Sequence, residues 1–541
     1  MRKAVFFFCL STLLFLLSSC NHAGDASIGK RIYEAGILAD GSPMQAISQG
    51  NVSLSGEIVS CARCHRKSGF GSFEGTIYVP PITSEVLFND QVHKREDMIR
   101  SLYHEEFTLR HWAKIRNLGQ RPAYSPASLL TALEQGINSK GAALDPIMPQ
   151  YVLDEENKAH LLAYLKTLNA KPAPGIDKEK VHFAAIITEG VDPDQEALLK
   201  QMMDAYVKWK NQSVAAQLKK ASNSPNYKDA FHHTYLQWEV HYWKLSGPEE
   251  GWQAQLHAYY QKQPVFAFLS GLSEASWAPI HHFAEEHQIP SLFPNTARPF
   301  PKEEAYNLYF SKGIAGEVNS LIAYLSKNNL SFTSIYEERP FSLQLKSLTA
   351  SHTSVSNTDF NFNFLSLQSF QQLSEEEGQA LVQNSPHFLF LISKSSLEKL
   401  QMPAFTDVKP TIYLPSSLAK NIGNQFSAFP LIHSYPYILP DEKTARNYRI
   451  RAWMRSRGLE VRDEALQMNT YFALSVTDFA ISHLVGNYSR EYLIERIEHE
   501  AENNLSPGIF PSLSLGPGQR FAAKGNYIIQ KGDSLQVLDY R

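Results

Sequence analysis

The chain is poor in cysteine: four in 541 residues, Cys9, Cys20, Cys61 and Cys64. So few exclude a disulfide framework, even for a protein that leaves the cytoplasm. Runs of like charge are also missing, and the formal net charge is only -3. Without a basic bias there is no argument for a nucleic-acid partner. No internal repeat is visible. One long apolar run exists, Ala4 to Leu17, and it is too short to span a bilayer comfortably as a mature helix.

That run has a different use. Arg2 and Lys3 precede it, and Ser18-Ser19-Cys20 follow. A positive start, an apolar stretch and small residues before a cysteine form the pattern of a bacterial lipoprotein signal peptide. Residues 1–19 are expected to be removed and Cys20 to carry lipid; ordinary cleavage nearby, with no role for Cys20, is the alternative. Several acyl chains on one cysteine anchor firmly where one would not. Asn21, rather than Asp, follows Cys20. The expected location is the periplasmic face of a Gram-negative membrane, the outer one. Cys9 leaves with the signal peptide, so only Cys61 and Cys64 remain.

Those two lie in Cys61-Ala62-Arg63-Cys64-His65. Thiols three apart on one helical turn can add to the two vinyl groups of one haem, and the adjacent His65 then reaches the iron from the proximal side. A redox disulfide is the first competitor, but that motif opens a helix after a strand, and here Gly69, Gly71 and Gly75 give a loop-like setting. A zinc site is the second, but it needs four ligands and no second cysteine pair exists. The expectation is one covalently bound haem c.

Composition divides the chain. Asn21 to Ser27 is a polar tether, and Asn169 to Lys180 carries the Pro and Gly of an interdomain linker. This gives domains at 25–170 and 181–541 with a linker at 171–180.

Residues 25–170 resemble a class I c-type cytochrome, which implies an all-α domain. Asp25 to Ile37 is similar to the family's N-terminal helix. The run from His65 to Gly71 is similar to its glycine-rich segment, and Pro80-Pro81 to the place where a proline carbonyl accepts the proximal histidine's N–H. Asp145-Pro146-Ile147-Met148-Pro149-Gln150-Tyr151 resembles the Met-Pro loop, which makes Met148 the distal ligand; a packed loop methionine is the alternative. Asp154 is placed to cap a helix from Glu155 to Leu168 with Leu161, Leu165 and Leu168 on one face. The stretch from Thr83 to Ser139 is longer than that fold requires. Its His93, His104 and His111 are alternatives to Met148, or surface residues of an inserted helical segment. A single haem motif argues against di-haem peroxidase chemistry, and a Met-ligated iron has no open position for substrate. No enzyme activity is expected.

From Val181 the apolar pattern alternates between strand-like and helix-like, which predicts a doubly wound parallel sheet. Strands are expected at 181–187, 233–245, 264–269, 289–293, 332–336, 388–392 and 412–414. Helices are expected at 192–208, 251–261, 273–286 and 311–325. Phe268-Leu269-Ser270-Gly271-Leu272-Ser273-Glu274-Ala275-Ser276, Ile289-Pro290-Ser291 and Pro511 to Arg520 resemble a type I periplasmic binding protein of the branched-chain amino-acid receptor kind. The resemblance implies two α/β lobes and a ligand carboxylate held by Ser273 and Ser276 at a helix start. Plain helix capping is the other reading of both serines. His281, His282 and His287 lack the i, i+4 spacing of a metal pair and are expected on the helix surface.

The reading that follows is an exported mono-haem cytochrome transferring single electrons to a periplasmic redox partner. Its second domain either docks that partner or binds a small ligand. The alternative is a solute-binding receptor lipoprotein of an ABC importer, with accessory haem.

Overall fold

The computed structural model describes residues 24–541 except 75–76, 91–120, 223–235, 356–360, 406–407, 420–425, 440–446, 485, 503–507 and 532–534. The signal peptide, Cys20 and the insert's His93, His104 and His111 lie outside the described residues. Two units are present: the described residues up to Ala173 together with His483–Tyr492, and Pro174–Ser482 together with Leu493–Arg541.

In the first unit, helix α1 (Ala26–Ala35) starts where the Asp25 carboxylate accepts the Ser27 N–H at 2.7 Å. It stops at Gly36, whose φ of 64° is left-handed. Strands β1 (Gln45–Ser48) and β2 (Val52–Ser55) lead to α2 (Cys61–His65). The hairpin β3 (Ser72–Glu74) and β4 (Ile77–Val79) follows, then α3 (Ser84–Phe88), α4 (Pro126–Gln135), β5 (Gln150–Val152) and α5 (Glu155–Thr167). Asp154 caps α5 by accepting the Asn157 N–H at 2.7 Å. Helices α1 and α5 pack together, and Ile32, Tyr33, Leu161 and Leu165 join Leu129 and Leu133 of α4 in one core.

The expected all-α domain is corrected here. Strands β2, β1 and β5 form an antiparallel sheet in that order. Ala46 is buried between exposed Gln45 and Ile47, and Tyr151 between exposed Gln150 and Val152. That period-two burial is what a half-buried sheet needs.

Residues 171–180 do not behave wholly as a linker. Gly175 (φ 91°) lies against Phe266, just before the strand Ala267–Leu269, and a Cβ on Gly175 would approach the Phe266 N to 2.1 Å. Ile176 bridges Val181, and Lys180 opens the first strand of the second unit.

That unit has two α/β lobes. The first holds β6 (Lys180–Thr188), α6 (Pro193–Ser222), β7 (Gln237–Leu245), α7 (Trp252–Lys262), β8 (Ala267–Leu269) and β9 (Leu272–Ser273). It continues with α8 (Ala278–Glu286), β10 (Ser291–Leu292), β11 (Asn295–Thr296) and β12 (Asn307–Leu308). Strand β6 pairs with β7 on one side and with β8 and β9 on the other; these pair with β10 and β11, and β10 with β12, all parallel. The run Val181 to Thr188 is buried throughout, as a strand covered by helices on both faces must be.

The second lobe holds α9 (Gly313–Lys327), β13 (Phe332–Tyr336), α10 (Pro340–Val355), β14 (Phe362–Ser366), α11 (Leu367–Gln371), α12 (Glu375–Asn384) and β15 (His387–Leu391). Then come α13 (Lys394–Glu398), β16 (Thr411–Leu414), α14 (Ser416–Ala419) and β17 (Leu431–Tyr435). The chain returns to the first lobe, where α15 (Tyr448–Arg455) precedes α16 (Glu464–Ser482), which packs on α6. There Arg520 and Glu498 form a buried ion pair at 2.5 Å. The last strands, β18 (Tyr527–Lys531) and β19 (Leu535–Tyr540), complete the second sheet in the order β14-β13-β15-β16-β17-β18-β19. The parallel expectation holds up to β17; β18 and β19 are antiparallel. Among the described residues no helix is long and apolar enough to cross a membrane.

Candidate functional site

In the first unit, the five residues of α2 place Cys61 inside and Cys64 on the surface. No disulfide joins them. The Cys61 thiol is hydrogen-bonded to Tyr151, and burial pushes its pKa up to about 12. It is therefore a poor thiolate and a poor redox nucleophile.

His65 is buried, and its Nδ1 lies 2.9 Å from the Pro80 carbonyl oxygen. A carbonyl only accepts, so Nδ1 carries the proton and Nε2 keeps its lone pair. Burial lowers the His65 pKa to about 4, which keeps the ring neutral. The Pro80 contact is the one the resemblance implied for a proline carbonyl. It depends on Gly71, whose φ of 77° suits glycine and whose absent Cβ would fall 2.1 Å from the Val79 carbonyl oxygen. Met148 is half-buried and packs on the cluster that contains Cys61, Leu133 and Tyr151. A neutral imidazole held by the Pro80 carbonyl, two thiols on one turn and a thioether at the same core fit the donor set of a haem c.

In the second unit, a cleft of about 1250 Å³ opens between the lobes. Ser273 lines it, but is only 4% exposed. Its hydroxyl accepts from Thr188 Oγ1 at 2.9 Å and from the Ala275 N–H at 3.1 Å, and donates to the Ala275 carbonyl at 3.1 Å. One donor and two lone pairs are thereby used up. Ser276 is not among the lining residues; its Oγ accepts the Ala278 N–H at 3.2 Å. The expectation that both serines hold a ligand carboxylate is corrected accordingly. The helix start moved as well. Ser270 (φ 56°) and Gly271 (φ 122°) kink the chain, so that Leu272–Ser273 continue as a strand and the helix begins only at Ala278.

Three lining groups were missed from sequence. Glu317, in the first turns of α9, is 3% exposed and faces the cleft. Its carboxylate accepts from the Ser417 N–H and Ser434 Oγ, both at 3.1 Å, and from Ser417 Oγ. Burial raises its pKa, and these donors oppose the rise. Arg298 holds its guanidinium 4.6 Å from the centre of the Phe341 ring, and desolvation lowers its pKa. Tyr437 is pushed up by burial and by the Glu317 and Asp463 charges. One signal for Glu317 was present: it shares the apolar face of Ile314, Val318 and Leu321, where a carboxylate is out of place.

His281 also departs from expectation. It is fully buried, between Tyr309 (2.8 Å) and Glu304 (2.9 Å), and is no surface residue.

No protein-family model and no curated protein matches the sequence. Solved structures do. One is a leucine/isoleucine/valine-binding protein, described as possible, from Rhodopirellula baltica: 13% identity over 68% of this chain and 98% of that one, TM-score 0.45. Another is a branched-chain amino-acid ABC transporter protein from Thermus thermophilus with bound valine: 12% identity, 67% and 96% covered, TM-score 0.47. A third is an ABC-transporter solute-binding protein from Rhodopseudomonas palustris with 3,4-dihydroxybenzoic acid: 10% identity, 67% and 97% covered, TM-score 0.45.

Electron transfer is corrected as the function of the chain, because the larger of its two units is a two-lobed α/β body around a cleft. The cytochrome reading and the redox partner expected with it are withdrawn.

Proposed function

We propose that this chain is a solute-binding receptor, anchored by lipid at Cys20 on the periplasmic face of the outer membrane. The cleft between the two lobes of residues 174–541 carries this reading. Its walls mix both signs of charge, Arg298 and Lys394 with Asp192 and Glu274, and include the aromatic faces of Phe341 and Tyr437. A few convergent polar groups in a concavity of this size suit a small polar solute. Binding follows from enclosure, and no bond-making chemistry is required of the site.

The test is thermal unfolding of the full chain against amino acids and small aromatic acids. A ligand present at one hundred times its Kd should add about 2.7 kcal/mol to stability, seen as a rise in Tm that Arg298→Ala reduces. No shift with any compound of either class would count against the reading.

One haem c is proposed as an accessory group, held by Cys61 and Cys64 with His65 as proximal and Met148 as distal ligand. When bound, it would supply an iron centre coordinated by an imidazole and a thioether. The observation behind it is the neutral, oriented His65 ring beside Pro80. The visible spectrum of the purified chain, before and after Met148→Ala, tests it. Absence of a haem band would sink this part and leave the receptor reading standing.

A further inference from the structure

We propose that His182, Glu239 and His241 form a binding site for a divalent transition-metal ion of the zinc type, with Asp177 as its outer-sphere anchor. The three side chains belong to adjacent parallel strands. His182 is on β6, directly opposite Glu239 on β7, and His241 follows two residues along β7 on the same face. Their ligand atoms all lie within 4.8 Å of one another.

The ring geometry suits one ion. His182 Nδ1 and His241 Nε2 face each other at 3.0 Å. Two nitrogens sharing a tetrahedral zinc with bonds of 2.0–2.1 Å stand roughly 3.3 Å apart, so an opening of a few tenths of an ångström suffices. The other nitrogen of His182 lies 2.9 Å from Asp177 Oδ2. A carboxylate only accepts, so that nitrogen carries the proton, and Nδ1 keeps its lone pair for a metal. This is the carboxylate–histidine–metal arrangement that fixes a ligand's tautomer. Asp177 is itself held: its Oδ1 accepts the N–H groups of Glu179 at 2.8 Å and Lys180 at 2.7 Å.

Lys180 pairs with Glu239 Oε2 at 2.6 Å, which leaves the second carboxylate oxygen for the ion. His182 is only 9% exposed, while Glu239 and His241 are half-buried on the outer strand, so an ion can enter from that side. Two imidazoles and a carboxylate select zinc, nickel or copper over calcium or magnesium. Water would complete the coordination.

The site is separate from the cleft. His182 is near the start of β6, and Thr188, whose hydroxyl meets Ser273, ends it. Six residues of strand put about 20 Å between them. Bound metal would clip the segment around Asp177 and strand β7 onto β6.

The experiment is calorimetric titration of the full, chelator-treated chain with Zn2+, with metal content measured after dialysis. The wild type should bind one equivalent more than His241→Ala, and Asp177→Asn should bind that equivalent 10- to 100-fold more weakly. His241 is half-buried, so circular dichroism of the variant is recorded first to check that it folds. Should His241→Ala not fold, Glu239→Gln carries the comparison. His257→Ala, in the other histidine pair near His287, should bind as wild type does. Equal uptake by the wild type and His241→Ala, or loss of the equivalent in His257→Ala, would overturn the proposal.

Discussion

Glu317 shows what one buried carboxylate does to the lobe that holds it. Among the described residues its hydrogen-bond donors are Ser416 and Ser417 of α14 and Ser434 of β17, and no cation pairs with it. Burial is the larger influence and raises its pKa above 4.5. A carboxyl whose folded pKa is raised stabilises the fold below its unfolded pKa. That contribution disappears as pH climbs through the folded value. Where the group ionises, its buried charge is therefore a net cost that its donors only partly offset. Relative to Glu317→Gln, the wild type should gain stability as pH falls from 7 towards 4.5. Urea midpoints of both proteins at several pH values measure this; a difference that is flat or of opposite slope would refute it. The partners that surround the Glu317 carboxylate are 100 and 117 residues away in the chain, so its environment could not be read from neighbours. The spacing from Cys61 to His65 was legible as one helical turn, and α2 forms it. Ser273 and Ser276 were misplaced because a kink at Ser270 and Gly271 turned an expected helix start into a strand.

Elements were legible where burial is periodic or continuous. Strand β6, buried along nearly all of its length, was expected at 181–187 and runs from Lys180 to Thr188. Strand β13 was expected at 332–336 and lies there. Strands β1, β2 and β5 were missed because they are three or four residues long and mostly exposed. The pairing of α1 with α5 gives a test whose sign is decisive. Gly29 lies mid-helix, where replacement by alanine ordinarily stabilises by up to about 1 kcal/mol. In this fold a Cβ at that position would fall 2.0 Å from the His160 carbonyl oxygen, a backbone atom that cannot turn aside. Gly29→Ala should therefore destabilise, by about 1–3 kcal/mol as overpacking does. Chemical denaturation monitored by circular dichroism decides it, and a stabilised variant would show that the helices do not approach this closely.

At the scale of the whole molecule, the proposed receptor role rests on the cleft of the second unit, and one contact in that cleft spans the lobes. Arg298 follows β11 in the first lobe, and Phe341 begins α10 in the second. The guanidinium lies 4.6 Å from the ring centre, within the range of a cation–π contact. Such a contact is worth about 0.5–2 kcal/mol depending on desolvation, and the half-buried Arg298 is partly desolvated. A tie of this size would shift an open–closed equilibrium of the lobes by roughly 2- to 30-fold without locking it. In the ligand-free chain, Arg298→Ala should speed amide exchange in the facing segments 294–298 and 393–398 by that factor. Phe341→Ala should do the same, and the double variant should do little more than either single one, because both remove one interaction. Additive effects of the two substitutions would mean that Arg298 and Phe341 act separately and that the lobes are held together by something else.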